Sequence, residues 1–375
     1  MFKTNKITTK SYVIIFSLFA FIIFIYHFSV YTLYTSKVLN VQEPLYVGDL
    51  VRLSYQVDFI DLKQTENTLQ KKHIEAGEYK SQRVDILTIG DSFSNGGGGG
   101  KNAFYQDYIS SIYNYNVLNI RSLASAGGRA PNSLLALEQS GILDEIKPKI
   151  IILSLGSRDI VRRLSNKLNF EQDISKNTIL NEMKTMLPHE LSKYQSKNIS
   201  IVNTANFKLP FYTLAYKFRP CIKSVCKLPI NKELFSINDK NHILVYKQTI
   251  KDLHMNTKEN IIKVNNNLNK ISKLLAKKGI KFIFMPAVSK YDLYSKFIKD
   301  NPFPKDILFE ILKSLPKDYI LINTKKILSS LLENGEKDIF YADDTHWSYK
   351  ASKEIIEKTN FIDIKKKSKP NRKIR

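Results

Sequence analysis

Between Tyr12 and Tyr34 the chain reads YVIIFSLFAFIIFIYHFSVYTLY, a run without a single acid, lysine or arginine. In hydrocarbon such a run has one stable form, a helix that satisfies its own backbone groups. At about 1.5 Å per residue it is long enough to cross a bilayer core of roughly 30 Å. His27 is the one strongly polar interruption, and a neutral imidazole near one end is tolerable. A cleavable signal peptide is the rival reading, but its apolar stretch is shorter and is followed by a small-residue cleavage site, whereas SKVLNVQEP follows here. The sequence therefore predicts a short cytoplasmic tail (1–11) and an uncleaved, single-pass anchor (12–34). Lys3, Lys6 and Lys10 precede the run, while Lys37 alone follows closely, before Glu43 and Asp49. The positive-inside rule then places the remainder outside the cytoplasm, and the expected location is the periplasmic face of an inner (cytoplasmic) membrane.

Charge narrows the partners. The formal net charge is +23, spread along the chain and densest in the tail 361–375. Nucleic acid is the reflex partner for such a chain, but an extracytoplasmic domain meets anionic lipid or acidic polysaccharide instead. A Lys-, Asn- and Ile-rich composition accounts for part of the excess. The two cysteines, Cys221 and Cys226, lack the further ligands of a zinc site and fit a local disulfide outside the cytoplasm. Nothing in the pattern calls for a metal or a cofactor.

Residues 35–83 read as a stalk or docking segment. Apolar runs and helical patterns then alternate through a domain expected over 84–360. VDILTI (84–89), 117–120, IIILSL (150–155), IKFIFM (280–285) and YILI (319–322) read as strands. Helical spacing falls at 102–115, 131–146, 256–278, 325–332 and 349–358. The stretch 165–255 is irregular and reads as a loop-rich insertion. Five apolar strands separated by helices predict an α/β fold, a doubly wound, mostly parallel five-stranded sheet. Ligand sites in such sheets gather at the carboxyl ends of the strands. Ser92 lies just past the first strand, Gly156–Asp159 past the third and Pro286–Tyr294 past the fourth.

Two short motifs carry the chemistry. Gly90-Asp91-Ser92-Phe93-Ser94 follows the first strand, where a turn can expose the serine hydroxyl and begin a helix whose amides face a developing oxyanion. Gly96–Gly100 comes next, and it does not match a phosphate-binding P-loop, because Asn102 occupies the required hydroxyl position. Near the C-terminus stands Asp343-Asp344-Thr345-His346-Trp347. A general base needs one ring nitrogen on the nucleophile and the other held by a carboxylate, and in a turn either Asp343 or Asp344 can hold His346. His27, His73, His189, His242 and His254 lack such an acidic cluster, so His346 is the preferred base. Trp347, the only tryptophan, can wall a pocket or stack on a sugar ring.

G-D-S-F-S after the first strand, with D-D-T-H before the last helix, resembles the SGNH/GDSL hydrolase superfamily. Within it, Asp344-Thr345-His346-Trp347 is similar to the D-T-H-W of extracytoplasmic alginate O-acetyltransferases. Met285-Pro286 and the loop carrying Lys290, Tyr291 and Tyr294 resemble that group too, which makes these three residues expected substrate contacts. The serine block precedes the histidine block, as in peptidoglycan O-acetyltransferases. The resemblance implies Ser92 as nucleophile and His346 as base, with Asp344 or Asp343 as the orienting acid. It also implies oxyanion donors from Ser92, Gly127-Gly128 and the Gly156-Ser157-Arg158-Asp159 block. In that block Arg158 stands where the wider superfamily has asparagine, which favours an acetyltransferase-like site over a generic lipase. The expected activity is O-acetyl transfer to a cell-surface polysaccharide, acidic ones first, with acetyl supplied by a polytopic membrane acyltransferase. A carbohydrate acetylesterase using the same residues is one alternative, and a catalytically silent glycan-binding protein is another.

Overall fold

The computed structural model describes residues 8–39, 47–61, 63, 69–100, 102–171, 173–186 and 200–361. The basic tail beyond Phe361, Lys3 and Lys6 ahead of the apolar run, His189, and residues 40–46, 62 and 64–68 of the expected stalk lie outside the described residues.

Among the described residues nine strands form two sheets. Six are parallel: β1 (Ile74–Glu75), β2 (Ile86–Gly90), β3 (Val117–Arg121), β4 (Ile150–Gly156), β8 (Lys281–Ala287) and β9 (Ile320–Leu321). Their spatial order is β1-β3-β2-β4-β8-β9. The chain leaves β2 toward one edge and returns to the other side of β2 as β4, so the topological switch lies between these two strands. β2 and β4 are buried along their whole lengths, which is why both read as unbroken apolar runs rather than alternating ones.

Ten helices matter here. They are α1 (Thr9–Val30), α2 (Asp49–Ser54), α3 (Tyr105–Tyr113), α4 (Ala130–Gln139), α5 (Ser157–Leu164), α6 (Ala205–Ala215), α7 (Lys258–Ala276), α8 (Lys290–Tyr294), α9 (Thr324–Glu333) and α10 (Tyr349–Lys358). α3, α10 and α9 pack in a row over one face of the sheet, while α5 and α7 pair over the other. α7 shows how the pattern works: Ile261, Val264, Leu268, Ile271 and Leu275 form one buried stripe, and Thr257 caps the first turn.

The doubly wound parallel fold stands as the sequence implies, with one strand more than expected. The sixth, β1, is a two-residue edge strand too short to carry a periodic signal. The helix expected over 131–146 breaks at Gly141, whose φ of +77° ends α4 and starts a separate turn of helix at Ile142–Ile146. The irregular stretch 165–255 holds helices and a three-stranded antiparallel sheet. Its strands are β5 (Cys221–Ile222), β6 (Val225–Pro229) and β7 (His242–Tyr246). Cys221 and Cys226 face each other across β5 and β6 and are disulfide-bonded. The apolar N-terminal run is helical from Thr9 to Val38 and stands largely clear of the rest of the protein. It has the length and composition of a membrane anchor or a signal sequence.

Candidate active site

β2 ends at Gly90, and no other residue fits there: a Cβ on it would stand 2.3 Å from the Ser154 carbonyl oxygen. Asp91 then ties the ends of the two central strands together. One of its carboxylate oxygens accepts from Phe93 N (3.1 Å) and the other from Gly156 N (2.7 Å). Ser92 sits exposed at the apex, and its carbonyl accepts from Asn95 N (3.1 Å) and Gly97 N (2.8 Å). Residues 92–98 are turns. The helix expected to start at Ser92 is absent, because these bonds fold the chain back on itself before a helical ladder can begin.

His346 reaches Ser92 from the far end of the chain. Its Nε2 lies 2.7 Å from Ser92 Oγ, and its Nδ1 lies 2.6 Å from Asp344 Oδ1. The same Asp344 oxygen accepts from His346 N at 2.9 Å. Burial works to lower the His346 pKa, but the Asp344 carboxylate outweighs it and holds the imidazole above its ordinary value. Burial likewise works to raise Asp344, yet the charge and hydrogen bonds of His346 hold it far below the usual carboxylate range.

Between Asp343 and Asp344 the geometry distinguishes sharply. Asp343 turns away from His346, accepts from Gly48 N (2.7 Å) and forms a buried ion pair with Lys63. Both aspartates dock on the first turn of α2: Asp49 N donates to Asp344 Oδ2 at 3.0 Å and Val51 N to the Asp343 carbonyl at 3.2 Å. The amides a helix start leaves unsatisfied are here bound by residues almost 300 positions away. Asp49 returns the contact, accepting from Thr345 N (2.8 Å) and Thr345 Oγ1 (2.6 Å). Lys63 and Gly48 were not singled out in the sequence, Asp49 entered only as an acid behind the apolar run, and no local motif marks them for the site.

The glycine run has a specific use. A Cβ on Gly97 would stand 2.5 Å from His346 Nε2, and one on Gly98 would stand 3.2 Å from His346 Cβ and the Tyr341 ring. The loop therefore lies flat against the imidazole, opposite the Phe93 ring at 4.8 Å. Around Ser92 and His346 opens a cavity of about 240 Å³, lined by Asp49 and Leu53 of α2, Arg158, Tyr246 and Thr345, among others. The α5 N-terminus faces it through Ser157 and Arg158, with no side chain capping that first turn. The Arg158 guanidinium sits 5.0 Å from the centre of the Tyr246 ring. This wall comes from the antiparallel sheet that the sequence left unresolved.

The remaining expected contacts either lie off the cavity or line it with their polar groups already engaged by the protein. The Gly127 and Gly128 amides donate to the Ala124 (2.9 Å) and Leu123 (2.8 Å) carbonyls within their own loop, and neither glycine lines the cavity. Trp347 is buried edge-on to Phe93, with no face open to a sugar. Lys290 lines the cavity wall, but its ammonium donates to the carbonyls of Tyr341 (2.8 Å), Ala342 (2.8 Å) and Asp344 (3.1 Å), bracing the loop that carries His346. Burial draws Lys290 down to about 7, against the pull of Asp343, Asp344 and Asp49. Tyr291 also lines the cavity, with its hydroxyl turned to the Pro304 carbonyl at 3.0 Å, while Tyr294 is buried against Phe235 and Phe340 away from it.

His73, expected to lack acidic partners, has two: Asp107 at Nδ1 (2.7 Å) and Glu75 at Nε2 (3.2 Å). Burial works against its charge, but the two carboxylates raise its pKa to about 9. With both nitrogens taken it has none free for a nucleophile. Asp49, Asp344 and His346 offer ligand atoms within 4.8 Å of one another, close enough to hold a cation, yet Nδ1 and both carboxylates are already engaged in the hydrogen bonds above.

Comparison with known proteins agrees with this arrangement at the level of family. The family model described as GDSL-like Lipase/Acylhydrolase matches residues 86–359, most of the chain. No curated protein matches it.

Proposed function

Because the chain belongs to the GDSL-like lipase/acylhydrolase family, we propose that it is a serine-dependent acyl-transfer enzyme, with Ser92 as nucleophile, His346 as general base and Asp344 as orienting acid. The observation that carries this reading is the unbroken hydrogen-bonded line from Asp344 through His346 to Ser92, at 2.6 and 2.7 Å. Ser92 Oγ attacks the acyl carbonyl while its proton passes to His346 Nε2. The tetrahedral intermediate collapses, the leaving alcohol takes that proton, and an acyl-serine remains. A second hydroxyl, deprotonated by His346, then attacks the acyl-serine and releases Ser92.

The oxyanion needs donors, and the Gly127-Gly128 amides are spent. Three supports converge instead on the cavity: the Ser92 amide, without a partner among the described residues, the uncapped start of α5, and Arg158. The cavity is small by the standard of ligand pockets, which run to roughly 300–1,000 Å³, and this favours a short acyl group such as acetyl.

The finer reading is an O-acetyltransferase anchored by its N-terminal helix and acting outside the inner membrane on a polysaccharide, acidic ones first. A polytopic acyltransferase would bring acetyl across. The apolar helix, the positive charge and Arg158 in place of asparagine support it. The alternative is an acetylesterase, favoured by the exposure of Ser92, which leaves water free to resolve the intermediate.

Incubation with an activated acetyl ester, followed by intact mass measurement, tests the nucleophile. A gain of one acetyl that is missing in Ser92→Ala supports it, and labelling that persists in Ser92→Ala rejects it. Adding bare glycan then separates the two outcomes: acetylated glycan marks the transferase, and free acetate alone marks the esterase.

A further inference from the structure

Helix α6 has two apolar faces, and only one of them is used by the protein. Ala205, Leu209, Tyr212 and Tyr216 turn inward, with Tyr212 packed edge-on to Tyr55 at the end of α2. On the opposite side Phe207, Phe211 and Leu214 stand exposed in the same three-and-four spacing, and Phe218 continues the line in the following turn. These four are 55–78 % exposed, a contiguous stripe that a water-facing surface does not carry without reason.

The stripe is continuous with α1. The Phe207 ring stacks on Tyr26 at 5.5 Å and meets His27 edge-on at 4.9 Å. Asn206 fastens the two helices: its side chain contacts His27 Nδ1 (2.8 Å) and accepts from Thr35 Oγ1 (2.6 Å), and its carbonyl accepts from Tyr26 Oη (2.8 Å). The polar exception inside the apolar run, His27, is thus the point where α6 attaches. Charge points the same way. From Ile201 to Lys223 there is no acid, while Lys208, Lys217, Arg219 and Lys223 are basic. An apolar stripe bordered by cations fits an anionic lipid surface.

We propose that α6 is an interfacial helix, with Phe207, Phe211, Leu214 and Phe218 seated among the lipids of the bilayer that α1 crosses. This rests on α1 being a membrane span and not on the acyl-transfer reading. It fixes the height of the cavity. α6 holds Tyr55, and the preceding helix α2 carries Leu53 and Asp49 into the cavity wall, so one short helix separates the site from the lipid. A donor delivered at the membrane surface then has little distance to travel.

The test uses the full chain reconstituted in vesicles of anionic and zwitterionic phospholipid carrying brominated acyl chains, with Phe211→Trp and, separately, Phe19→Trp. The signal of the buried Trp347 is subtracted with the unsubstituted protein. The expected result is blue-shifted emission at both positions, quenched by brominated lipid and protected from aqueous iodide. Phe19→Trp quenched by lipid with Phe211→Trp quenched by iodide overturns the proposal while α1 still spans. Phe211→Trp reached by neither quencher places protein on the stripe and overturns it as well. If neither position is reached by lipid, the span fails and the proposal with it. Hydrolysis of a soluble ester by Phe211→Trp stays at the unsubstituted level in the supported case, which shows that the fold is intact.

Discussion

Asp343 and Asp344 are adjacent in the chain and turn opposite ways: one pairs with Lys63, the other with His346. They should therefore fail differently. Asp344→Asn leaves a side chain of the same shape that no longer balances an imidazolium, and kcat should fall by about 10³–10⁴ with the fold intact. Asp343→Asn leaves Lys63 buried without its counter-charge, and should cost about 3 kcal/mol of stability while kcat stays within about tenfold. Thermal unfolding and ester turnover on both variants check the split; equal loss of kcat in the two would contradict it.

The pH profile follows from the same pair. His346 must be neutral to accept the Ser92 proton, and Asp344 holds its pKa above the ordinary imidazole value. The rate should therefore rise with pH on a limb centred above about 6.5. In Asp344→Asn the largest raising charge is gone while burial remains, opposed only by the weaker pull of Asp49 and Asp91, so the limb should move to lower pH. Stability runs the other way. A group whose folded pKa is raised adds stability that is full below its unfolded pKa and is lost as pH climbs through the folded one. The His346–Asp344 contribution to stability thus declines across the range in which the enzyme becomes active.

Gly97 sets a steric limit. Its Cβ-less backbone lies where a methyl group would meet His346 Nε2 at 2.5 Å. Gly97→Ala must displace either the loop or the imidazole, and a shift of about 1 Å in a reacting group costs on the order of 10²-fold in rate. The expectation is a large fall in kcat with a small change in thermal midpoint. Gly127→Ala, outside the cavity with no clash but at a φ of +75°, serves as the comparison: it strains the backbone and should lower the thermal midpoint while leaving kcat in place.

Arg158 is expected to act on the transition state. Arg158→Ala should lower kcat by about 10²–10³ with little change in KM, as the loss of an oxyanion donor does. A rise in KM for an acidic glycan with kcat preserved would assign the guanidinium to acceptor binding instead.

Much of this was legible in the sequence. The apolar runs that became β2, β4 and β8 are buried on both faces, so their pattern needed no tertiary information. The Ser92 motif fell where the end of β2 puts it, and the His346 motif fell ahead of the last helix. The rest was hidden for physical reasons. Asp49 and Lys63 act through contacts that span 280 residues and more, so nothing near them in the chain announces a role. Lys290 reads as a substrate cation, yet three carbonyl oxygens claim its ammonium. Tyr246 reaches the cavity on a short antiparallel strand inside a stretch with no clear period. Gly127-Gly128 fit the glycine block that the resemblance implies, but a local turn consumes the amides that the role would need.

The docking of α2 on residues 343–345 carries a practical consequence for dissecting the chain. The family match begins at residue 86, yet Gly48, Asp49 and Val51 hold the loop that bears His346. A fragment trimmed to the family boundary would keep Ser92 and His346 and lose the scaffold that aligns them, so a cut made to free the protein from lipid belongs ahead of Val47.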